Sequence, residues 1–502
     1  MATRRRSARG AFRFLSHGLT LVCVSLPAAA GEWTITPMVS VNETATDNVN
    51  LVATNRSSDL VTDVNPGLRI DGAGGRSKLH FDYQLHNLFY ARNSDLDRSQ
   101  NSLNALGTLE AAENWLFIEA SAAIAQQSIS AFGGATSSTV NTNSSSNTTE
   151  TGTYRVSPYM RGSFGNLADY LLRYNLSKYT TQYGDAFNSD TNELMGSLKG
   201  DTALASLGWM LDARSQTVKF GDGRNNELDL LRGILTYKLD PQLRVLLIAG
   251  REANNYLTAD KTAYTTKGGG IEWAPTERTL ASAIMENRFI GDTYHLIFSH
   301  ITGGSVWKIS KTRDVVVQQN QQGSFAFDPV ASSPPTSSSA PVASNYTASS
   351  GSPLTINSMI SGVTLQERGD VSFALLGARN TLTFAAFNSK STGITQILMA
   401  VPSIGGNYVL SPLIQELKQR GASISWSHQL TGLSSLVASY ALINNKGTGA
   451  TTLETDQKMF NVNLVTRLDP KTSAGVGVRR SVVDGTTNYT ENALTGTISY
   501  QF

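Results

Sequence analysis

The dominant regularity along this chain is alternation of apolar and polar residues. Phe81, Tyr83, Leu85 and Phe89 share one parity, and His80, Asp82, Gln84 and His86 the other. Tyr170, Leu172, Tyr174 and Leu176 alternate with Arg173, Asn175 and Ser177. Leu231, Leu235, Tyr237 and Leu239 alternate with Arg232, Thr236 and Lys238. Ile424 and Trp426 are interleaved with Ser423, Ser425 and Ser427, and Phe460, Val462, Leu464 and Leu468 with Asn461, Asn463 and Arg467. Period two sends successive side chains to opposite faces of a strand. The chain therefore reads as a long series of two-faced strands.

Turn residues punctuate the series. Short connectors fall at Asp71 to Gly75, Glu113-Asn114, Gly165-Asn166, Gly200-Asp201, Asp240-Pro241, Pro275 to Glu277, Thr302 to Gly304, Arg379-Asn380, Thr431-Gly432 and Asp469-Pro470. Longer polar stretches lie between them, most clearly residues 130–151, 318–358 and 389–419. Short turns alternating with long loops is the asymmetry of a transmembrane barrel, with periplasmic turns on one side and outer loops on the other. Ten short turns allow up to 22 strands. The prediction is an all-β, antiparallel up-and-down barrel of roughly 20 strands, with 16 to 22 allowed. The last residues fit it: Leu494, Gly496, Ile498, Tyr500 and Phe502 occupy every second position. A terminal Phe preceded by alternating apolar residues resembles the sorting signal of bacterial outer-membrane proteins, carried by Tyr500 and Phe502. That signal implies the barrel-assembly machinery as a partner.

Composition agrees with this pattern. Only 16% of the 502 residues are charged, while 40% are hydrophobic; soluble proteins carry about 25% charge. Beyond the N-terminus no run of about 18 apolar residues offers a spanning helix. A sheet that closes on itself can cross lipid because every backbone group then has a partner. Its strands need only one apolar face, and Tyr and Trp suit the girdles at the two interfaces.

Residues 1–30 read as a cleaved secretory signal. Arg4, Arg5, Arg6, Arg9 and Arg13 precede an apolar stretch from Phe14 to Leu26, and Ala28-Ala29-Ala30 gives a small-residue cleavage site. Residues 31–502 would then be one barrel domain in a Gram-negative outer membrane, with lipid as its solvent. Loss of five arginines and no acids takes the net charge from +2 to −3, so a nucleic-acid partner is not supported. The one Cys leaves with the signal, and with it any disulfide or Cys metal site.

No catalytic, metal or cofactor motif is present. Gly72-Ala73-Gly74-Gly75 reads as a tight turn. His80 and His86 share a face about 20 Å apart along a strand, His295 and His300 face opposite sides, and His428 stands alone. The candidate residues are lumen-facing: His80, Asp82, Gln84, His86, Arg173, Arg232, Lys238 and Arg467. Their plain role is solvation of the lumen; their sharper one is a polar path for a hydrated solute such as a saccharide. Most aromatics fall on the apolar parity, away from that path. A helix is predicted inside the 389–419 loop, with Ser411 as N-cap, Pro412 in the first turn and Gly421 at the end. It would constrict the lumen or lie on the outer rim. The Ser/Pro-rich 318–358 segment reads as an outer loop and not a plug.

Several phrases together carry a family resemblance: Thr36-Pro37 through Thr46-Asp47-Asn48-Val49-Asn50-Leu51; Ser157-Pro158-Tyr159 with Phe164-Gly165-Asn166; Gly250-Arg251-Glu252 with Asn255-Tyr256; Trp273-Ala274-Pro275-Thr276-Glu277-Arg278-Thr279; and Asn287-Arg288-Phe289-Ile290-Gly291 followed by His300. The chain resembles the outer-membrane β-barrel family associated with the PEP-CTERM/exosortase system and exopolysaccharide loci. The likeness runs over nearly the whole mature chain and is strongest from about 150 to 310. It departs at Ile290, where a second aromatic is expected, and at Ile301, where a basic residue is expected. The resemblance implies a location and a system, with exopolysaccharide and its export proteins as partners. It carries over no catalytic or binding residue. A conduit or assembly partner in export is the leading expectation. A passive porin is the alternative, followed by an outer-membrane hydrolase using His80 or His300 and by a secreted adhesin.

Overall fold

A computed structural model describes residues 31–134, 140–144, 147–318, 323–324, 355–356, 358–403 and 408–502. The expected signal segment lies outside the described residues, as does nearly all of the 318–358 loop.

Among the described residues, 22 strands form a closed wall. They are β1 (Glu32–Thr46), β2 (Asp59–Ala73), β3 (Ser77–Tyr90), β4 (Arg98–Ala112), β5 (Leu116–Ser128), β6 (Thr148–Phe164), β7 (Ala168–Thr181), β8 (Ser189–Asp201), β9 (Leu207–Phe220), β10 (Asn225–Lys238) and β11 (Leu243–Asn254). The series continues with β12 (Thr262–Thr276), β13 (Thr279–Arg288), β14 (Gly291–Ile301), β15 (Ser305–Gln318), β16 (Ile360–Leu376), β17 (Asn380–Gly393), β18 (Ile414–Gln429), β19 (Ser434–Gly449), β20 (Thr452–Arg467), β21 (Thr472–Gly485) and β22 (Tyr489–Gln501). Each pairs antiparallel with its neighbour in sequence, and β1 closes the ring on β22 through the register Met38↔Gln501 to Thr46↔Ala493. The ring leaves no free edge, which is what a sheet surrounded by lipid requires. The chain is an outer-membrane-type β-barrel.

All ten predicted short turns lie at one end, with the start of β1 and with Phe502. Their boundaries shift slightly: β2 runs through Ala73, so the first turn is 74–76, and β8 runs through Asp201. Asn114 (φ 56°) and Gly165 (φ 57°) take the left-handed backbone of two of these turns, which Asn and Gly tolerate best. Phe502 donates its N–H to the Pro37 carbonyl (3.0 Å), and its ring meets Tyr500 edge to face.

The wall is two-faced as the parity requires. Leu231, Leu247, Met285, Val476, Leu494 and Ile498 point outward and are exposed. All six Trp (33, 115, 209, 273, 307 and 426) lie within a few residues of the short-turn end, forming one aromatic girdle. Strands run from 10 to 17 residues. At a tilt near 40° each residue advances about 2.5 Å along the membrane normal, so about ten residues cross the ~25 Å apolar band. The remainder project past the outer surface.

Three expectations are corrected at that outer end. Residues 411–421 are not a helix: Ser411 ends a short strand (Tyr408–Ser411), and Ile414 onward is β18. The Ser411 hydroxyl does accept a backbone N–H, from Leu413 (3.2 Å), but this closes a turn and caps no helix. Ladders to β17 on one side and β19 on the other supply the backbone partners that a helix would have offered. The two ends of the polar stretch 389–419 are wall strand for the same reason, leaving 394–413 as the connection. Outer connections are also not uniformly long, since 289–290 and 450–451 are two-residue turns.

Candidate functional site: lumen and outer cap

The inward parity carries many charges, and most of them are paired. Arg69 Nε meets Asp82 at 2.9 Å. Arg173 meets Glu119 at 2.8 Å. Glu193 accepts from Arg214 (2.6 Å) and from Asn175 (2.7 Å). Arg232 bridges Asp212 (2.6 Å) and Glu286 (3.1 Å). Arg288 grips Glu252 with two bonds of 2.9 Å and reaches Asp314 at 2.6 Å. Pairing is what an ion half removed from water needs, because an uncompensated charge there is costly. Arg69–Asp82, Arg214–Glu193 and Arg232–Asp212 join adjacent strands, while the long Arg173, Arg288 and Arg232 side chains also reach over one or two strands to Glu119, Glu252, Asp314 and Glu286.

The sequence-derived candidates sit within this pattern. His86 is buried with Asp63 (3.1 Å). His80 meets Asp71 at 2.7 Å. Gln84 lies across from Gly67 and against the Met38 sulfur. Lys238 faces Asp201 at 3.5 Å, and Arg467 is exposed at the short-turn rim. Asp82, Arg173 and Arg232 belong to the pairs above. His295 faces inward to Asp314 (3.4 Å), while His300 faces outward to Thr279 (2.8 Å). His80 and His86 therefore each pair with a different aspartate. Among the described residues no group of three or more His, Cys, Asp or Glu is arranged for a metal ion.

Parity of Glu and Arg residues flags much of this network. It misses a luminal aromatic row: Phe117 stacks on Tyr159 (ring centroids 5.0 Å), and Arg173 lies 4.4 Å over the Tyr159 ring. These three residues are direct cross-strand partners on β5, β6 and β7. Its three members come from three different strands, so the row appears only once the register is known.

The outer end of the lumen holds a cap that parity does not reveal. Residues 129–134 leave β5, and the carbonyls of Ala131, Phe132 and Gly133 accept from Asn445 (2.8 Å), Thr455 (3.3 Å) and Gln457 (3.1 Å) on β19 and β20. Phe132 is fully buried against Ile360, Ile397, Met399, Ile414 and Leu417. Gly447 makes room for it: a Cβ there would lie 2.5 Å from the Phe132 ring. β5 and β19 are eight strands apart by the shorter way round. In a circular ring they would sit at least about 30 Å apart, while the three residues from Ser128 to Ala131 reach at most about 11 Å. The rim is therefore drawn inward here, bringing the exit of β5 closer to β19 than a circular ring would.

A second inward segment completes the cap. Leu398–Pro402 pairs with Tyr408–Ser411 and with the start of β16. Ile129, Phe187, Met359 and Ala400 form a buried cluster where the two segments meet, and Met359 N–H bonds Ile129 O (3.2 Å). Arg224 anchors this segment through Ser361 (2.6 Å), whose hydroxyl bonds the Ala186 carbonyl (2.6 Å). Burial pushes the Tyr408 hydroxyl up to about 12, partly offset by a hydrogen bond with Thr487. The first segment's return, Asn141 to Ser144, is tied to Arg98, Gln100, Arg479 and Glu491.

No family model and no curated protein matches the chain. Among solved structures it is similar to a mutant of the ferric enterobactin receptor PfeA of Pseudomonas aeruginosa, at 10% identity over 93% of this chain and 80% of that one, TM-score 0.45. It is similar also to the siderophore receptor PirA of the same organism (9% identity, 93% and 80% covered, TM-score 0.39). A loop-deletion mutant of OmpT, an outer membrane protein of Vibrio cholerae, is a third (9%, 94% and 100%, TM-score 0.31). At these identities and scores the likeness says nothing about a ligand.

Proposed function

We propose that the chain is a gated outer-membrane conduit serving exopolysaccharide and PEP-CTERM export, closed at rest by its own loops. The observation that carries this reading is the cap: buried apolar clusters and hydrogen-bonded carbonyls occupy the end of the lumen that a free-running pore must leave open. A cell that exports a polymer needs such a barrier whenever the channel is idle. The lumen below suits a hydrated, hydroxyl-rich cargo, since most of its charges are internally compensated, Ser, Thr, Asn and Gln are frequent in its lining, and Phe117 and Tyr159 add an aromatic face. The phrases shared with exosortase-associated barrels supply the system, and the reading is non-enzymatic.

Planar-bilayer conductance tests the gate. The reconstituted barrel is expected to stay closed, and replacement of Gly447 by Leu, which displaces Phe132, is expected to produce steady openings. Large open channels in the unmodified protein would replace this reading with the passive porin. Surface exopolysaccharide measured after deletion of the gene tests the system; an unchanged amount removes the export assignment while leaving the gate.

A further inference from the structure

The outward face of β18 to β21 carries cations where the wall should be turning from polar to apolar. Arg420, Lys458 and Arg480 are exposed, outward-facing and on β18, β20 and β21. Each lies ten residues from its short-turn connection, counted to Leu430, Leu468 and Pro470. At about 2.5 Å per residue this is about 25 Å, the height of the apolar band. Immediately beneath them sit Ile424, Trp426, Phe460, Leu464, Val476 and Val478. The three cations therefore share one depth, the outer edge of the hydrocarbon.

Their partners within the chain are few. Among the described residues the trio makes one side-chain hydrogen bond, from Arg480 to the Asn492 amide oxygen (3.3 Å). The carboxylates nearby lie further out and face other groups. Glu416 holds Lys390 and Lys418 (both 2.9 Å), Glu454 holds Lys446 (2.9 Å), and Asp456 accepts from Asn444 (2.9 Å). Asp484 sits four residues beyond Arg480. Arg313, an outward cation at this depth on β15, instead meets Glu367 (3.1 Å). A cation aimed at lipid at the hydrocarbon edge calls for an anion from the membrane. Arg420 and Arg480 present planar donor forks that suit phosphate, with Lys458 as a point charge between them.

We propose that Arg420, Lys458 and Arg480 form an outward-facing binding site for the phosphate groups of an outer-leaflet glycolipid. The site is independent of the lumen and of what passes through it. The test titrates the folded barrel in detergent micelles with lipid A, and with the same lipid after removal of its phosphates, followed by native mass spectrometry. The intact protein should retain the phosphorylated lipid at least about tenfold better, with no displacement by inorganic phosphate at equal concentration. The R420Q/K458Q/R480Q variant should lose that preference, whereas Lys219→Gln, an outward cation at the tip of β9, should keep it. Heat modifiability checks that the triple variant folds; if it does not, Lys458→Gln alone should weaken the preference. Equal retention of the two lipids by the intact protein overturns the proposal without any variant. So does a preference that survives in the folded triple variant, or displacement by inorganic phosphate.

Discussion

The two halves of the wall solve the problem of charge in opposite ways. From β5 to β13 every strand carries at least one inward charge, and β15 and β16 continue the series. Through β17 to β20 the inward positions hold a single charge, Arg467 at the rim, and are otherwise Ser, Thr, Asn, Gln and apolar residues. On the outer face of that second arc the cations are dense: Lys390, Lys418, Arg420, Lys446 and Lys458. One arc is a charged wall around water, and the other is a neutral wall with a charged rim toward the membrane. The difference teaches that inward charge in a barrel is structural when it is zipped into pairs across strands. The neutral arc, with hydrogen-bonding amides and no competing ions, is where residues 131–133 of the cap dock.

The largest effect expected from breaking this contrast is in the charged arc. Arg288 joins Glu252, which is 0% exposed, to Asp314. Replacing Arg288 with Met leaves a buried carboxylate uncompensated and should cost about 3–5 kcal/mol. Urea unfolding from lipid vesicles measures it. The double variant R288M/E252Q should recover part of that loss, because the residual penalty belongs to the orphaned charge.

The neutral arc should respond less, and at the mouth. Asn445 donates to the Ala131 carbonyl and accepts from Gln419 (3.0 Å) while nearly fully buried. Asn445→Ala leaves both partners unsatisfied, a cost of about 1–3 kcal/mol. The signature should be intermittent conductance with the urea midpoint of the wall little changed. Loss of the whole barrel's stability instead would mean that the cap and the wall are one cooperative unit.

Alkaline pH probes the same cap from its second segment. Tyr408 ordinarily ionises near 10, and burial raises this to about 12 in the folded state. A raised pKa stabilises the folded form fully below about 10. That stabilisation is lost as pH climbs from about 10 through 12, because the unfolded segment gives up its proton first. Openings should therefore become more frequent over that interval. In Tyr408→Phe, which cannot ionise there, the Tyr408 share of the increase should be absent.

Much of this architecture was legible in the sequence. Alternation in β3, β7, β10 and β20 named both faces, because burial on one side of a strand is a local property that parity records. The ten turns were legible because Gly, Asn, Asp and Pro are selected locally for their backbone angles. The cap was not, because Phe132 and Ile397 lie in irregular segments, and what buries them comes from β18 and from the start of β16. The helix expected after Ser411 failed for a related reason: its cap residues are genuine local signals, but the wall had two strands waiting to pair with that segment. The pairing of charges was half legible. Parity placed Arg173 and Arg232 inward, and only the register brought Glu119, Asp212 and Glu286 to them.

The smallest expected effect distinguishes the two kinds of charge most sharply. Lys446 and Glu454 form an ion pair of 2.9 Å on the outer face, with 42% and 46% of their side chains exposed. The Glu454 carboxyl is held below its usual range chiefly by the Lys446 hydrogen bond. Water and salt reach both groups, so the pair should contribute little, and less still as ionic strength shortens the Debye length to a few ångströms. Lys446→Gln should therefore shift the urea midpoint only slightly at low salt and not measurably near 1 M salt. Arg288→Met should keep most of its effect at both, since its partner Glu252 is withdrawn from solvent. If the two variants lost their effects in parallel with salt, the inward network would be as wet as the rim, and the division of the wall into a zipped arc and a solvated one would fail.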